Sequence, residues 1–422
     1  MRSWNRRDCF VLATAVVLFL VGGGRAESQE AALHQQIDQL LAQQPGAVTG
    51  TVATDAEFLR RVSLDLIGVP PSSEEVRAFL ADETPNKREL VVDRLQASPL
   101  YERHLAECFD VMLMERRRNT HITQDAWSAY LLQSVRENKP WNQLAREILI
   151  ADGGDSSPRA AVRFSLDRGS EPNLLTRDVG RVFFGRDLQC AQCHDHPLID
   201  DYAQADYHGL LAFFTPGFEM KIKEGDTETA FYAERAGGDL EFQSVFEEGV
   251  KHLTGPRVPG APELAEPVFL PGDEYSVAQA ENVRPIPKHS RRMMLAEAAT
   301  GGANRAFNEN IANRLWALMM GRGLVHPVDL HHSSNPPTNP ALLRLLGEQF
   351  AAMNFDVKRY LRELALTQTY QRALDVPPDV LARSAAAAAV VAQLESEREA
   401  LAATSEASAA AHNAAVEQWR AA

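Results

Sequence analysis

Two thiols two residues apart, with an imidazole directly after them, are concentrated in one short segment, Cys190-Ala-Gln-Cys193-His194-Asp195-His196-Pro197. This is the spacing of covalent c-type haem attachment, in which Cys190 and Cys193 form thioethers and His194 binds the iron. With 4 cysteines and 12 histidines in 422 residues, chance placement of such a C-x-x-C-H is expected only about 0.001 times. The same residues admit other chemistry. Cys190, Cys193, His196 and His208 together make a four-ligand Cys/His set suited to tetrahedral zinc. His194, Asp195, Asp200 and Asp206 are then alternates or groups that orient the imidazoles. Four protein ligands would make the zinc structural, whereas three would leave an open position for Lewis-acid chemistry. A third reading is a redox dithiol or simple disulfide, although no thioredoxin-like βαβ context surrounds the pair.

The neighbouring sequence bears on the haem reading. An attachment segment usually opens a helix, yet Pro197 pushes His196 towards extended backbone, so a helix is expected to be cut there. His196 is also too near His194 to reach the opposite face of a haem. A sixth ligand would have to come from Met220, Met293, Met294, Met319, Met320 or His208, which the sequence does not rank.

Haem attachment and disulfide chemistry both need an exported compartment, and the N-terminus supplies one. Arg2, Arg6 and Arg7 form a basic end, Cys9 to Val21 an apolar stretch, and Gly24-Arg25-Ala26 a small-residue exit, the pattern of a secretory signal over residues 1–26. The expected location is periplasmic or extracellular. Cys9 leaves with the signal, and the odd set Cys108, Cys190 and Cys193 argues against a disulfide-stapled scaffold. Loss of the segment's four arginines and one aspartate takes the formal net charge from −14 to −17. So acidic a chain is a poor nucleic-acid binder. No later apolar run is long enough for a transmembrane helix.

The elements that must position the motif read as mostly helical. Thr54-Asp-Ala-Glu57 and Ser72-Ser-Glu-Glu75 fit the capping box. Phe58, Leu59, Val62 and Leu66 follow helical spacing until Gly68-Val-Pro-Pro71 stops it. Further helices are expected from Pro85, over Leu105–Met114 and Ala126–Val135, and from Leu174 to Phe184, with the pattern resuming from Tyr207 to Phe214. Trp127, Tyr130 and Trp141 read as core residues, and Cys108 as a small buried apolar one. Residues 217–283 gain glycine, proline and charge, and read as a partly β or irregular insertion. Ile311, Leu315, Leu318 and Met319 share a helix face closed by Gly321. Asn335-Pro-Pro-Thr-Asn-Pro340 turns into a helix carrying Leu342, Leu345 and Phe350, and another covers Val357 to Leu366. From Leu381 onwards the chain is alanine-rich and helix-favouring, with large apolar residues too sparse for a good heptad seam.

Several of these stretches carry a family resemblance. Phe58-Leu-Arg-Arg-Val-Ser-Leu-Asp-Leu-Ile-Gly-Val-Pro-Pro71, the Asn86–Leu95 helix and Leu188-Gln-Cys-Ala-Gln-Cys-His-Asp-His-Pro197 resemble the planctomycete cytochrome-c-like domain of unknown function. Asn313-Arg-Leu-Trp316, Gly321-Arg-Gly-Leu-Val325, Asn335-Pro-Pro337 and Thr369-Tyr-Gln371 resemble its usual planctomycete-specific companion. The resemblance implies an exported protein with a haem-like motif and no assigned biochemical role. Members usually continue the companion domain beyond Thr369-Tyr-Gln371, so the alanine-rich tail reads as truncation or divergence.

Other candidates carry less. His326, and His331-His332 beside Asp329, could form a second metal site but more simply serve as loop hydrogen-bonders. Asp65 and the Glu115–Arg118 cluster read as solvated or ion-paired groups. No Ser/His/Asp triad, P-loop or dinucleotide fingerprint is evident. The expected protein is therefore mainly α. Residues 1–26 are its signal peptide, 30–216 a helical cytochrome-c-like module and 217–283 the insertion. Residues 284–375 are a helical companion module and 376–422 an alanine-rich helical tail. Its leading role is c-type cytochrome-like and electron-transfer-related, with haem c on Cys190, Cys193 and His194. The alternative is a zinc-stabilised interaction or carbohydrate-associated protein; whether it is an enzyme stays open.

Overall fold

The computed structural model describes residues 31–44, 50–115, 117, 119–154, 157–238, 240–247, 249–375 and 378–421; the expected signal segment, 1–26, lies outside them. The chain is mainly α-helical. Its first helices are α1 (Leu33–Ala42), α2 (Asp55–Ile67), α3 (Ser73–Ala81), α4 (Lys87–Gln96), α5 (Pro99–Met114), α6 (Gln124–Arg136) and α7 (Trp141–Ile150). A short α8 (Arg163–Leu166) leads into α9 (Pro172–Phe184), and α10 (Gln204–Leu211) follows the cysteine segment. The starts and stops follow the local chemistry. Ser72 and Glu75 form the full reciprocal capping box of α3, and α2 ends on Gly68 in the left-handed conformation. Thr54 caps α2 through the amide of Glu57, but the return bond from the glutamate is not made. That carboxylate is drawn instead to Arg61.

Among the described residues, the insertion and the few residues after it hold three antiparallel two-stranded units. These are β1 (Gly217–Glu224) with β2 (Thr227–Glu234), β3 (Leu240–Phe242) with β4 (His252–Thr254), and β5 (Tyr275–Val277) with β6 (Ile286–Pro287). Pro267-Val-Phe-Leu270 is irregular and largely exposed. Helices resume with α11 (Arg291–Thr300), α12 (Arg305–Met320), α13 (Pro340–Ala352) and α14 (Val357–Leu366), and the alanine-rich tail forms one helix, α15 (Pro378–Ala421). Its 44 residues span about 66 Å at 1.5 Å per residue.

The helices before and after the insertion close on a single core that runs from Leu33 to Tyr370. Trp141, at the start of α7, sits at its middle. Its ring lies 5.6 Å from Phe109 of α5, 6.1 Å from Phe183 of α9 and 6.5 Å from Phe307 of α12. Polar ties close the seam elsewhere. Ala53 N donates to Gln371 O at 2.8 Å and Ala373 N to Thr51 O at 2.8 Å, while Arg362 reaches Glu89 and Asp93 of α4. Asp65 is partly buried and accepts from Tyr370 Oη at 2.5 Å, so it joins the two halves where a solvated or ion-paired carboxylate was expected.

Because Trp141 contacts both halves, Trp141→Ala should cost about 3–5 kcal/mol without splitting the unfolding transition. Denaturant melts followed by far-UV circular dichroism should show one cooperative step at a lower midpoint; two steps would refute a shared core.

Candidate functional site

The cysteine segment begins where α9 ends. Gly185 terminates that helix at φ +67°, and a side chain there would press on the His331 ring and Asn310. Beyond it, Cys190–Gln192 forms a single 3-10 turn that ends ahead of Pro197, and no helix follows until α10. In a 3-10 turn residues i and i+3 eclipse, which puts both cysteines on one side. Ala191 between them is buried, whereas Cys190 and Cys193 are exposed and free.

Each histidine of the motif has a distinct hydrogen-bond state. His194 Nδ1 lies 2.6 Å from Asp195 O. A carbonyl only accepts, so Nδ1 is the donor, and in the neutral ring the lone pair then lies on Nε2, the tautomer of a metal-ligating imidazole. The Phe246 ring, 4.9 Å from that of His194, packs beside it. His196 is used differently. Its backbone amide donates to Tyr202 O at 3.0 Å, and its Nδ1 accepts from Leu198 N at 3.2 Å, which commits its lone pair to the turn. His208 Nε2 faces Gln192 O at 3.2 Å, and its ring stacks on Phe242 at 4.4 Å. Burial pushes the His208 pKa down, favouring the neutral ring. Among the described residues no three metal-ligating side chains converge. Cys190, Cys193, His196 and His208 thus surround one loop without forming a coordination sphere in this arrangement.

Three further segments enclose the loop. From α10, Gln204 N donates to Asp195 Oδ1 at 2.7 Å and the Gln204 amide reaches Gln243 O at 3.1 Å. From the β3–β4 arm, Val245 N donates to Cys193 O at 3.0 Å. From the companion region, the 326–335 loop clamps the other side. Asp187 N donates to Asp329 O, His331 N to Gly185 O and Tyr202 Oη to His331 O, at 3.0, 2.9 and 3.1 Å. The Asp201 carboxylate takes Ser333 N and Oγ. Hydrogen bonds to Ser333 oppose the cost of burial and hold the Asp201 carboxyl below the ordinary aspartate pKa. Sequence reasoning missed Phe246, Gln204 and this clamp. All act across large sequence separations and leave no local pattern.

The weaker candidates resolve as structural groups. The Asp329 carboxylate pairs with Arg314 and Arg181. His331 is mostly buried beside Asn313. Glu115 pairs with Arg181, and Arg117 with Asp178. Cys108 is half-buried, 3.8 Å from His104 Nε2, and burial raises its thiol pKa to about 11. Of the possible sixth ligands, Met319 is in the core, Met220 pairs with Phe231 in the first hairpin, and Met293 and Met294 line a cleft of about 820 Å³ to which the motif does not contribute.

Family comparison agrees with the two-domain resemblance. Residues 32–217 match the PSCyt2 family, described as proteins of unknown function (DUF1549), and residues 291–415 match the PSD1 family, also of unknown function (DUF1553). The chain belongs to the proteins that carry these two domains in this order. The second match runs to residue 415, well into α15. No curated protein and no solved structure matches it. Among the described residues no helix is long and apolar enough to cross a membrane.

His331 gives the clamp a pH dependence. Burial, helped by the charges of Arg314 and Arg186, lowers its pKa from 6.5 to about 4. A lowered imidazole pKa means that the unfolded chain binds the proton more readily. Its stabilising effect is complete above pH 6.5 and is lost as pH falls towards 4, by on the order of 3 kcal/mol. Replacing His331 with Gln should flatten the stability profile over that window in urea titrations, and an unchanged slope would count against the assignment.

Proposed function

We propose that Cys190-Ala-Gln-Cys193-His194 is a covalent haem attachment site and that the protein has an exported, electron-transfer-related role. The observation that carries this reading is the state of His194: its Nδ1 is held on Asp195 O, which leaves Nε2 free, and the thiols of Cys190 and Cys193 are free and exposed. Proximal ligands are oriented in this way. Cys190 and Cys193 would hold the group through thioethers, and His194 Nε2 would bind the iron; when bound, haem supplies a one-electron couple. The signal-like N-terminus supports the reading, because attachment takes place outside the cytoplasm. The rest of the loop supplies rigidity: the thiols share one face of a 3-10 turn, and the two carbonyls just before His194, Gln192 O and Cys193 O, are tethered to α10 and the β3–β4 arm.

The zinc reading draws less support, because His196 Nδ1 is occupied by Leu198 N and, among the described residues, no three metal-ligating side chains converge. The test is direct. The mature chain, exported in a host with haem-maturation machinery, should retain haem through denaturing electrophoresis and show the visible spectrum of a c-type protein. Cys190→Ala combined with Cys193→Ala should abolish the covalent stain. A stain-negative protein containing one zinc per chain would overturn the proposal in favour of a structural metal, and a stain-negative, metal-free protein would leave the dithiol.

A further inference from the structure

We infer that Asp195 is a positioning residue for His194: its carboxylate, seated on the start of α10, fixes the carbonyl that holds His194 in the Nδ1–H tautomer. The helix creates the need. Its N-cap residue, Ala203, has no side-chain oxygen and makes no side-chain cap. The amide of Gln204, in the first turn, would otherwise lack an intrahelical partner. Asp195 supplies the acceptor from nine residues upstream, with Oδ1 at 2.7 Å. A carboxylate here is also favoured by the positive end of the helix dipole.

The same residue holds both ends of the arrangement. Its side chain is anchored on α10, while its backbone oxygen receives the His194 Nδ1 proton at 2.6 Å. The loop is tethered to either side of this point. Gln192 O is contacted by His208 Nε2 at 3.2 Å and Gln204 Nε2 at 3.5 Å, and His196 N is bonded to Tyr202 O at 3.0 Å. Between these tethers, the Asp195 carboxylate opposes rotation of its own peptide plane. Without it, the Asp195 carbonyl is free to turn away from the ring. Histidine in water favours the opposite, Nε2–H form, so the released ring loses the lone pair at the nitrogen that faces a metal. The carboxylate makes no contact with the ring and acts only through its own backbone.

The test uses the full chain in its reduced, haem-free state, so it stands apart from whether haem is attached. Long-range proton–nitrogen correlation spectra of 15N-histidine protein report the tautomer directly, with the His194 signals assigned by their absence in His194→Gln. The wild type should show the Nδ1–H pattern. Asp195→Asn, which keeps an acceptor oxygen, should retain it, whereas Asp195→Ala should lose it to a predominantly Nε2–H pattern.

A second pair of variants guards against a merely structural effect. Gln204→Pro removes the N–H that the carboxylate accepts, at a position where proline suits a helix start. Ala203 already has the extended backbone that must precede a proline. Gln204→Ala removes the side chain but keeps that N–H. The proline variant should switch the tautomer and the alanine variant should not. Persistence of the Nδ1–H pattern in both Asp195→Ala and Gln204→Pro would overturn the inference. So would an equal switch in Gln204→Ala, which would assign the effect to the glutamine side chain.

Discussion

Trp141 stacks against Phe183 near the end of α9 and against Phe307 in the first turns of α12, and the placement of the cysteine loop depends on that stack. Phe183 lies two residues before Gly185, where α9 stops. An aromatic ring buried on three sides cannot shift without opening a void, because protein interiors are close-packed. The stack therefore fixes the point at which the chain leaves α9 and the face on which Cys190 emerges. It also explains why the helices before and after the insertion are one folding body: their apolar faces meet in a common core.

The site is built with little spare polarity. Motif carbonyls are taken up by partners from α10 and the β3–β4 arm, and the flanking residues by the companion loop, so the segment is well determined although it has almost no regular structure. This is how a loop can hold chemical groups in place: its backbone bonds are satisfied elsewhere. The three imidazoles are differentiated by the same means. Each lies beside a different backbone group, and the bond it makes decides which nitrogen keeps a lone pair.

The clamp gives the companion domain a part in the motif. Gly185 lies against both His331 and Asn310, Tyr202 reaches the His331 carbonyl, and Asp201 holds Ser333. Arg314 in turn anchors Asp329, and Asn313 grips both the amide and the carbonyl of Val325 at 3.0 and 2.9 Å. The Asn313-Arg-Leu-Trp316 segment of α12 therefore shapes the loop that braces the cysteine segment. Two regions that match separate families thus contribute to one site.

Much was determined by the sequence alone, because it depends on neighbours along the chain. Helical spacing, the Ser72 capping box and the glycine stops at Gly68 and Gly321 are local effects of backbone and side-chain chemistry. So is the pairing of two thiols on one side of a short turn. Tertiary structure alone decided the rest. The sequence could not tell that Asp65 bonds Tyr370, that Leu198 N occupies His196 Nδ1, or that Asp195 reaches across nine residues to α10. Those outcomes depend on which distant segments are brought together by burying Trp141 and its neighbours, and that packing is a property of the whole chain.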